Sequence, residues 1–242
     1  VACPDGTYQP HLGAKSDLEC LACPPGRFCV SGDTAPGPEC NTGYYCPSGS
    51  SSPTQLACPE GFYRNNTGAR SQQDCALCPS GKFCLSATTL PSDCPEGFYC
   101  VVGVSTPEPC PPGTFSNTTS VRRVEDCTVC TPGFYCDAFG LLEPTGPCDA
   151  GYFCLSGSPT SAPVDTRNPL GSEPTPIGGR CPTGGYCPQG SSQALACDPG
   201  FFLNVTGATS KDQCIPCEAG FFCLGSNAAA PTDPCDPGFY CP

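Results

Sequence analysis

Aromatic side chains mark the hydrophobic pattern of this chain, and they recur at one fixed place. The chain contains nine Tyr and thirteen Phe, and all of them except Phe139 lie in the motif Cys-x-x-Gly-x-(Phe/Tyr). Spacers rich in Ser, Thr, Pro and Gly separate one motif from the next. This pattern predicts one small aromatic cluster per motif as the core, where burial contributes roughly 1.5–3 kcal/mol per ring. The alternative interpretation is a stripe of aromatic residues that binds a ligand.

The motif occurs thirteen times along the chain. Its first residues are Cys3, Cys23, Cys40, Cys58, Cys78, Cys94, Cys110, Cys130, Cys148, Cys181, Cys197, Cys217 and Cys235. One further cysteine follows in each unit before the motif restarts, so thirteen pairs account for all 26 cysteines. A repeat of this kind predicts a string of small units, each too poor in apolar surface to fold without covalent staples.

The second cysteine of a unit lies at one of two distances from the first. In nine short units it directly follows the aromatic residue, as Cys84 does in the unit that begins at Cys78. In four long units it lies seventeen residues on, and these units are Cys3 to Cys20, Cys58 to Cys75, Cys110 to Cys127 and Cys197 to Cys214. One long unit and two short units form a larger repeat that occurs four times, with one solitary short unit besides.

This order predicts six segments. They are repeat 1 at residues 1–57, repeat 2 at 58–109, repeat 3 at 110–154, a Pro/Ser/Thr-rich spacer at 155–180, a solitary unit at 181–196 and repeat 4 at 197–242. The spacer is expected to be extended or loosely wrapped, because its prolines favour polyproline II and it cannot form a core. Ser/Thr/Pro-rich tracts are also typical of O-glycosylated segments.

Glycine and proline predict the local structure of each unit. The motif glycine supplies a turn conformation that other residues resist. Proline often follows the first cysteine, as at Pro4 and Pro59, and glycine two residues later suits a type I turn. With 29 Gly and 32 Pro in the chain, helices and central strands are disfavoured. The predicted fold class is small disulfide-rich repeats: an elongated rod of tandem cysteine-stapled modules, with short β-ribbons inside the long loops, turns elsewhere and little helix.

The cysteines are expected to form disulfides rather than a metal site. Metal clusters use Cys-x-Cys pairs, or Cys with His at ligand spacing, whereas this chain has no Cys-x-Cys and a single histidine, His11. An even number of regularly spaced cysteines is typical of a disulfide framework formed in an oxidising compartment. We therefore expect an extracellular location, secreted or at the cell surface, with no metal and no cofactor.

The pairing of the cysteines is partly open from sequence. The solitary unit adds two cysteines together, which favours pairing inside each unit or between neighbouring units. The long loops, such as Cys58 with Cys75, are the firmest pairs. For the short units, local closure and a staggered pairing of neighbouring units both remain, although the solitary unit favours local closure. The staggered pairing would join Cys23 with Cys40 and Cys29 with Cys46.

Charge and residue types exclude several classes of function. The net charge is −12, with acidic residues scattered singly, so the clustered Lys and Arg of a nucleic-acid surface are lacking. One histidine and fully paired cysteines leave no Cys/His or Ser/His/Asp arrangement, so we expect no enzyme and no catalytic residue. No apolar run of about 18 residues is present, so no membrane anchor is visible in this segment. Because the chain starts at Val1 without Met, we expect it to derive from a longer secreted precursor.

Three N-glycosylation sequons occur at the same place in three long units. Asn65, Asn117 and Asn204 each lie seven residues after the first cysteine, and each has Thr two residues later. The first long unit has Pro10 at that place and no sequon. Because the phase is repeated, N-glycans are predicted on the long loops.

One spacer segment contains several large apolar residues, whereas the other spacers are rich in Ser, Thr, Pro and Gly. Phe139, Leu141 and Leu142 place three apolar side chains between two units. They are predicted to form a contact between repeats or between molecules, or else to cover a local disulfide.

The residues from Cys58-Pro-Glu-Gly-Phe-Tyr to Cys75-Ala-Leu-Cys78-Pro-Ser-Gly-Lys-Phe-Cys84 resemble the ephrin-receptor-like cysteine-rich repeat. The long unit is also similar to the first loop of tumour necrosis factor receptor modules. That resemblance implies pairing of Cys3 with Cys20 and the three equivalent pairs, and it implies no catalytic residues. It covers nearly the whole chain, although the tight short unit is denser here than in the receptor modules.

Two functions fit these observations. The first is a structural glycoprotein of an extracellular fibre, wall, coat or appendage, in which each unit contacts mainly its neighbours. Because the motif runs to the last residues without a cap, copies of the chain are expected to associate end to end. The second is the ligand-binding or adhesion ectodomain of a cell-surface receptor. Exposed aromatic or Arg residues in a single repeat would favour the second function.

Overall fold

The computed structural model describes residues 1–164, 177–223, 225 and 227–238. The chain forms two compact regions. The first region comprises Val1–Glu108 and Thr118–Asp126, and the second comprises Pro109–Asn117 and Cys127–Pro242. Both regions are built from the same short elements, because the same motif recurs in both.

Very short strands pair into antiparallel ribbons in each region. In the first region the ribbons are Thr7–Tyr8 with Leu21–Ala22, Tyr44–Tyr45 with Leu56–Ala57, Phe62–Tyr63 with Ala76–Leu77, and Lys82–Phe83 with Ser92–Asp93. In the second region they are Thr114–Phe115 with Thr128–Val129, Phe134–Tyr135 with Gly146–Pro147, Tyr152–Cys154 with Gly178–Arg180, Gly185–Tyr186 with Leu195–Ala196, Phe201–Phe202 with Ile215–Pro216, and Phe221–Phe222 with Asp233–Pro234. Two further strands are Phe98–Tyr99 and Glu108–Pro109. The predicted class, a small disulfide-rich fold of β-ribbons and turns, is confirmed.

The ribbons occur in short units as well as in long ones. One strand is the aromatic end of a motif, and its partner directly precedes the first cysteine of the next unit, as in Tyr44–Tyr45 with Leu56–Ala57. Each long unit has the predicted ribbon, but its second strand lies just beyond the second cysteine, as Leu21–Ala22 lies beyond Cys20. The prediction of turns alone outside the long loops was wrong. The residues directly before the following unit supply the second strand, whether the intervening loop is long or short.

Each long loop contains one 3-10 turn immediately before its second cysteine. These turns are Asp17–Glu19, Gln72–Asp74, Val124–Asp126 and Lys211–Gln213. Among the described residues no α-helix is present. This agrees with the prediction of little helix.

The motif glycine is the third residue of a tight turn. The N–H of Thr7 donates to the C=O of Pro4 at 3.2 Å, and the N–H of Phe62 donates to the C=O of Pro59 at 3.1 Å. Every motif glycine has positive φ, for example +82° at Gly6. A type I turn has negative φ at its third position, so the type I prediction was wrong and the glycine has the φ of a type II turn. The prediction that glycine supplies a conformation other residues resist is confirmed.

The cysteines, rather than the aromatic residues, form the core. Cys23, Cys58 and Cys148 have no exposed surface, and most other cysteines are equally buried. Among the aromatic residues whose burial the structure describes, Phe202 alone is buried, at 8% exposure, and the others are half-buried or exposed. The predicted aromatic core was therefore wrong. A ribbon of two residues is too small to enclose a ring, whereas a disulfide fits between two adjacent turns.

Twelve disulfides join described cysteines, and each closes within one unit. The long units contain the pairs Cys3–Cys20, Cys58–Cys75, Cys110–Cys127 and Cys197–Cys214, which are the pairs implied by the resemblance. The short units close locally in Cys23–Cys29, Cys40–Cys46, Cys78–Cys84, Cys94–Cys100, Cys130–Cys136, Cys148–Cys154, Cys181–Cys187 and Cys217–Cys223. The staggered alternative is not the pairing in the structure. Cys235 is also disulfide-bonded, and Cys241 lies outside the described residues.

Both ends of the predicted spacer at residues 155–180 pack against the unit that precedes it. Gly178–Arg180 pairs with Tyr152–Cys154, and the Leu155 N–H donates to the Ile177 C=O at 2.9 Å. Pro163 and Ile177 are fully buried. The described ends of the spacer, residues 155–164 and 177–180, are therefore held beside one ribbon. Residues 165–176 of the predicted extended segment lie outside the described residues.

Candidate functional site: the contact between successive units

The motif glycine of one unit is hydrogen-bonded to the next unit at two points. The Gly43 N–H donates to the Arg64 C=O at 2.8 Å, and the Gly43 C=O accepts from the Cys58 N–H at 2.9 Å. The same two bonds are made by Gly6, Gly26, Gly61, Gly81, Gly113, Gly133, Gly151 and Gly184. A slip of one residue between units would break both bonds, so the glycine fixes the register.

The two cysteine positions of a unit add two more bonds to the next unit. The Cys40 C=O accepts from the Gly68 N–H at 2.9 Å, and the Cys46 N–H donates to the Ala69 C=O at 2.9 Å. Four backbone hydrogen bonds therefore join one unit to the next. Since each contributes about 0.5–1.5 kcal/mol net, the backbone itself holds the units in line.

Long units keep this register although they lack a cysteine six residues after the first. Gln9, Arg64, Ser116 and Leu203 occupy that place, and their N–H groups donate to the following unit at 2.9–3.0 Å. The chain therefore uses the same backbone contact in both kinds of unit. The long loop also takes part in the contact with the preceding unit, since Gly68 and Ala69 lie between Cys58 and Cys75.

The motif glycine also lies against the unit after the next one. A Cβ atom added to Gly6 would lie under 3.0 Å from the C=O of Gly49, a distance that real Cβ atoms essentially never show. The same approach occurs at Gly26 with Gly68, Gly43 with Ala87, Gly61 with Gly103, Gly81 with Ser120, Gly113 with Gly157, Gly133 with Gly190, Gly151 with Gly207 and Gly184 with Asn227. Three successive units therefore meet at each of these glycines. The repeat predicts contacts mainly between nearest neighbours, so sequence reasoning misses this contact. Its visible signal is the glycine three residues after several short units, as at Gly49 and Gly103.

A side chain caps the 3-10 turn in three of the long loops. The carboxylate of Asp74 accepts from the Arg70 N–H at 2.6 Å, and the amide oxygen of Gln213 accepts from the Thr209 N–H at 2.6 Å. Glu19 accepts from the Lys15 N–H in the same way at 3.2 Å. The bond from the Arg70 N–H is the main cause that lowers the pKa of Asp74 below its ordinary value. Sequence reasoning missed this cap, although a polar acceptor directly before the second cysteine was its visible signal.

Charged side chains also bridge neighbouring units at the surface. Asp93 accepts hydrogen bonds from Lys82 Nζ at 2.5 Å and from Ser120 Oγ at 3.0 Å. The Lys82 bond is the first cause that holds the pKa of Asp93 low. In the same way, Glu39 accepts from Thr67 Oγ1 at 2.5 Å. Because these groups are exposed, each contributes little to stability.

The three predicted glycan acceptors are on the surface. Asn65, Asn117 and Asn204 are exposed, and so is the Thr two residues after each of them. Each acceptor lies on the outer part of a long loop, next to the residue that carries the backbone register. A glycan attached there would extend into solvent without displacing a hydrogen bond between units.

The spacer segment with Phe139, Leu141 and Leu142 makes a backbone contact, but two of its side chains are exposed. The Leu141 C=O accepts from the Ser116 N–H at 2.9 Å, so the backbone takes part in the usual register. The side chains of Phe139 and Leu142 are 67% and 48% exposed. Leu141 is half-buried. Whether these side chains form a contact between repeats or molecules, or cover a local disulfide, stays a prediction.

The described residues hold no group of three or more potential metal ligands. His11 is exposed in its loop, and its backbone N–H donates to Gln9 Oε1 at 3.2 Å. Among the residues described, none forms a helix long and apolar enough to span a membrane. Comparison with known protein families and with characterised proteins finds no match for this chain. Its function is therefore inferred from its own geometry.

Proposed function

We propose that this chain is an extracellular structural glycoprotein, a disulfide-stapled rod that assembles into a fibre, coat or surface appendage. One observation carries the proposal: the same four backbone hydrogen bonds join nine pairs of successive units. A contact that repeats by the same operation adds further units without a change in geometry. Such a head-to-tail contact generates filaments when it does not close on itself.

The disulfides support an extracellular role. Local closure staples every unit in which both cysteines are described, and small domains stapled in this way are typical of oxidising compartments. Each disulfide removes conformational freedom from the unfolded chain, by roughly 2–4 kcal/mol for loops of this size. A chain held in this way resists unfolding and proteolysis, as a structural fibre requires.

The exposed sequons support a glycosylated surface. N-glycans on Asn65, Asn117 and Asn204 would coat the long loops and leave the contact between units uncovered. The resemblance to ephrin-receptor-like repeats is part of the same proposal, since such repeats occur in large extracellular proteins. No residue of the chain is assigned a catalytic role.

Electron microscopy of the native, unreduced protein tests the proposed function, with mass per unit length as the readout. Filaments of constant width with a regular axial repeat are the expected result. Discrete particles of one chain each, at every concentration examined, would overturn it. Reduction with dithiothreitol is the control, because filaments built from stapled units should be lost when the staples are cut.

One observation favours the second function, a ligand-binding or adhesion ectodomain. Phe139 and Leu142 are exposed apolar residues in a spacer, where most residues are polar. Exposed aromatic residues are typical of interaction hot spots. Replacement of both residues by Ser should leave filaments intact if the chain is structural. If filaments are absent and the double variant loses adhesion to cells that bind the wild-type chain, the receptor function is supported instead.

A further inference from the structure

The first of the three predicted sequons is hydrogen-bonded to a residue that lies before the preceding unit. The hydroxyl of Thr67, which completes the sequon of Asn65, donates to Glu39 Oε2 at 2.5 Å. Glu39 directly precedes Cys40, the first cysteine of the short unit that docks on this long loop. A hydrogen bond from the sequon threonine is therefore part of the folded contact between units.

The register between the units sets the distance between Thr67 and Glu39. The Gly68 N–H donates to the Cys40 C=O at 2.9 Å, and these two residues directly follow Thr67 and Glu39. A Cβ added to Gly68 would lie 3.2 Å from the carboxylate carbon of Glu39, so that carboxylate lies directly over the glycine. Arg27 Nη2 lies 3.8 Å from Glu39 Oε1, which leaves Oε2 for the threonine.

The equivalent carboxylate of the second repeat makes a different contact. Asp93 stands where Glu39 stands in the first repeat, one residue before the first cysteine of a short unit. It accepts from Ser120 Oγ at 3.0 Å and from Lys82 Nζ at 2.5 Å. Ser120 follows the sequon residue Thr119, so this carboxylate is bonded beside the sequon rather than to its hydroxyl.

The third sequon has a cation at this place. Arg180 precedes Cys181, and its Nε would lie 2.6 Å from a Cβ added to Gly207, the residue after the sequon threonine. A guanidinium carries donors only, so it cannot accept a hydrogen bond from the hydroxyl of Thr206. The bond between a carboxylate and a sequon hydroxyl is therefore specific to Asn65.

The threonine hydroxyl is the part of the sequon that a transferase has to recognise. Transfer requires Ser or Thr two residues after the Asn, and a hydroxyl is what these two side chains share. The Asn amide nitrogen forms a bond to the anomeric carbon of an oligosaccharide carried on polyprenyl pyrophosphate. The bond from that carbon to the pyrophosphate oxygen breaks, polyprenyl pyrophosphate leaves, and the amide nitrogen loses one proton to solvent. A hydroxyl whose single proton is donated to Glu39 has to be released before the transferase can use it.

We infer that Asn65 accepts its N-glycan before the preceding unit docks on the long loop, and that the hydrogen bond from Thr67 to Glu39 closes this site in the folded chain. Asn117 and Asn204 remain acceptors after folding. Docking does not displace a glycan that is already attached, because Asn65 itself is exposed. The inference rests on the glycosylation included in the proposed function and adds the stage at which one site is modified.

The test compares folded and unfolded chains as acceptors. The whole chain is produced in cells that lack N-glycosylation, purified with its disulfides intact, and incubated with oligosaccharyltransferase and a lipid-linked oligosaccharide. Mass spectrometry of the glycopeptides gives the rate of modification at Asn65 relative to the rate at Asn204. This ratio should be about three- to tenfold lower in the folded chain than in the reduced, unfolded chain, the range expected when one hydrogen bond has to be broken first.

Two variants assign the effect to one side chain. Glu39→Ala should raise the ratio in the folded chain to its value in the unfolded chain, because the Thr67 hydroxyl is then released. The matched control is Asp93→Ala, which removes the equivalent carboxylate of the second repeat and should leave the ratio at the wild-type value. Slow hydrogen exchange of the Gly68 amide in both variants shows that the units remain docked, since its acceptor is the Cys40 C=O.

Several results would overturn the inference. They are an equal ratio in the folded and unfolded wild type, a ratio that stays low in Glu39→Ala, an equal rise in Asp93→Ala, and a folded chain that is modified at no site. In each of these cases, modification of the unfolded chain at all three Asn leaves the proposed glycoprotein standing. If the unfolded chain is modified at none of them, the proposed glycosylation fails together with the inference.

Discussion

The backbone carbonyl of Gly49 occupies the space where a side chain on Gly6 would begin. One unit, which begins at Cys23, lies between these residues, so the contact joins the first and third units of a stack. Gly6 has φ of +82° and Gly49 has φ of +82°, and both therefore favour glycine for conformational reasons. The free space around the two glycines differs, because a Cβ on Gly49 would meet nothing within 4 Å.

This difference predicts unequal effects of the same substitution. Gly49→Ala should destabilise by about 1–2 kcal/mol, the cost of a side chain in the left-handed region. Gly6→Ala adds a steric overlap with backbone that cannot rotate away, which should raise the loss by about 1–3 kcal/mol. Guanidinium unfolding with intact disulfides measures both. Equal losses in the two variants would show that the third unit does not press on the motif glycine.

Ala87 and Ser120 stand at places where most units have glycine, and they keep φ of +60° and +63°. Ala87→Gly should therefore stabilise the chain by about 0.5 kcal/mol, the relief of strain less the entropy that glycine loses on folding. Ser120→Gly is the comparison, because it also loses the hydrogen bond from Ser120 Oγ to Asp93 and should gain less or nothing. Thermal unfolding of the two variants decides the order, and a loss of stability in Ala87→Gly would contradict the strain argument.

The repeat, the disulfide framework and the small amount of helix could be predicted because they follow from the spacing of cysteine and glycine. The register between units could not, since it depends on backbone groups that every residue carries. The core was predicted wrongly because the aromatic residues are the largest apolar side chains, yet Tyr45 and Tyr63 lie on ribbons too small to cover them. The exposure of Ala14 against the burial of Ala69 is likewise invisible in sequence, where both are simply alanine after glycine.

The caps of the long loops predict a pH dependence that differs between repeats. The folded state holds the pKa of Asp74 below its ordinary value, so the cap stabilises fully above the unfolded pKa. That stability is lost as the pH falls through the folded value, below the unfolded pKa of about 3.9. Asp74→Ala should therefore cost about 1 kcal/mol at pH 7 and progressively less at acidic pH.

Gln213 provides the matched control for this effect. It accepts the equivalent hydrogen bond from the Thr209 N–H at 2.6 Å, but its amide does not titrate. Gln213→Ala should therefore lower the free energy of unfolding by about 1 kcal/mol at pH 7 and by the same amount at pH 3. Urea unfolding of both variants at pH 7 and pH 3 is the measurement. A cost of Asp74→Ala that stays the same at pH 3 would show that the carboxylate charge contributes nothing to the cap.

The exposed sequons predict three N-glycans on the secreted protein. Treatment with peptide N-glycosidase F should lower the intact mass, and each of Asn65→Gln, Asn117→Gln and Asn204→Gln should remove one glycan. Asn66→Gln is the matched control, because Asn66 is exposed beside Asn65 but has Gly68 rather than Thr two residues later. The Asn66→Gln variant should keep all three glycans, as measured by its intact mass. The acceptors take no part in the backbone hydrogen bonds between units. Deglycosylated protein should therefore retain its disulfides, and its free energy of unfolding should change by less than about 0.5 kcal/mol. A large loss of stability on deglycosylation would mean that the glycans pack against the units rather than project from them.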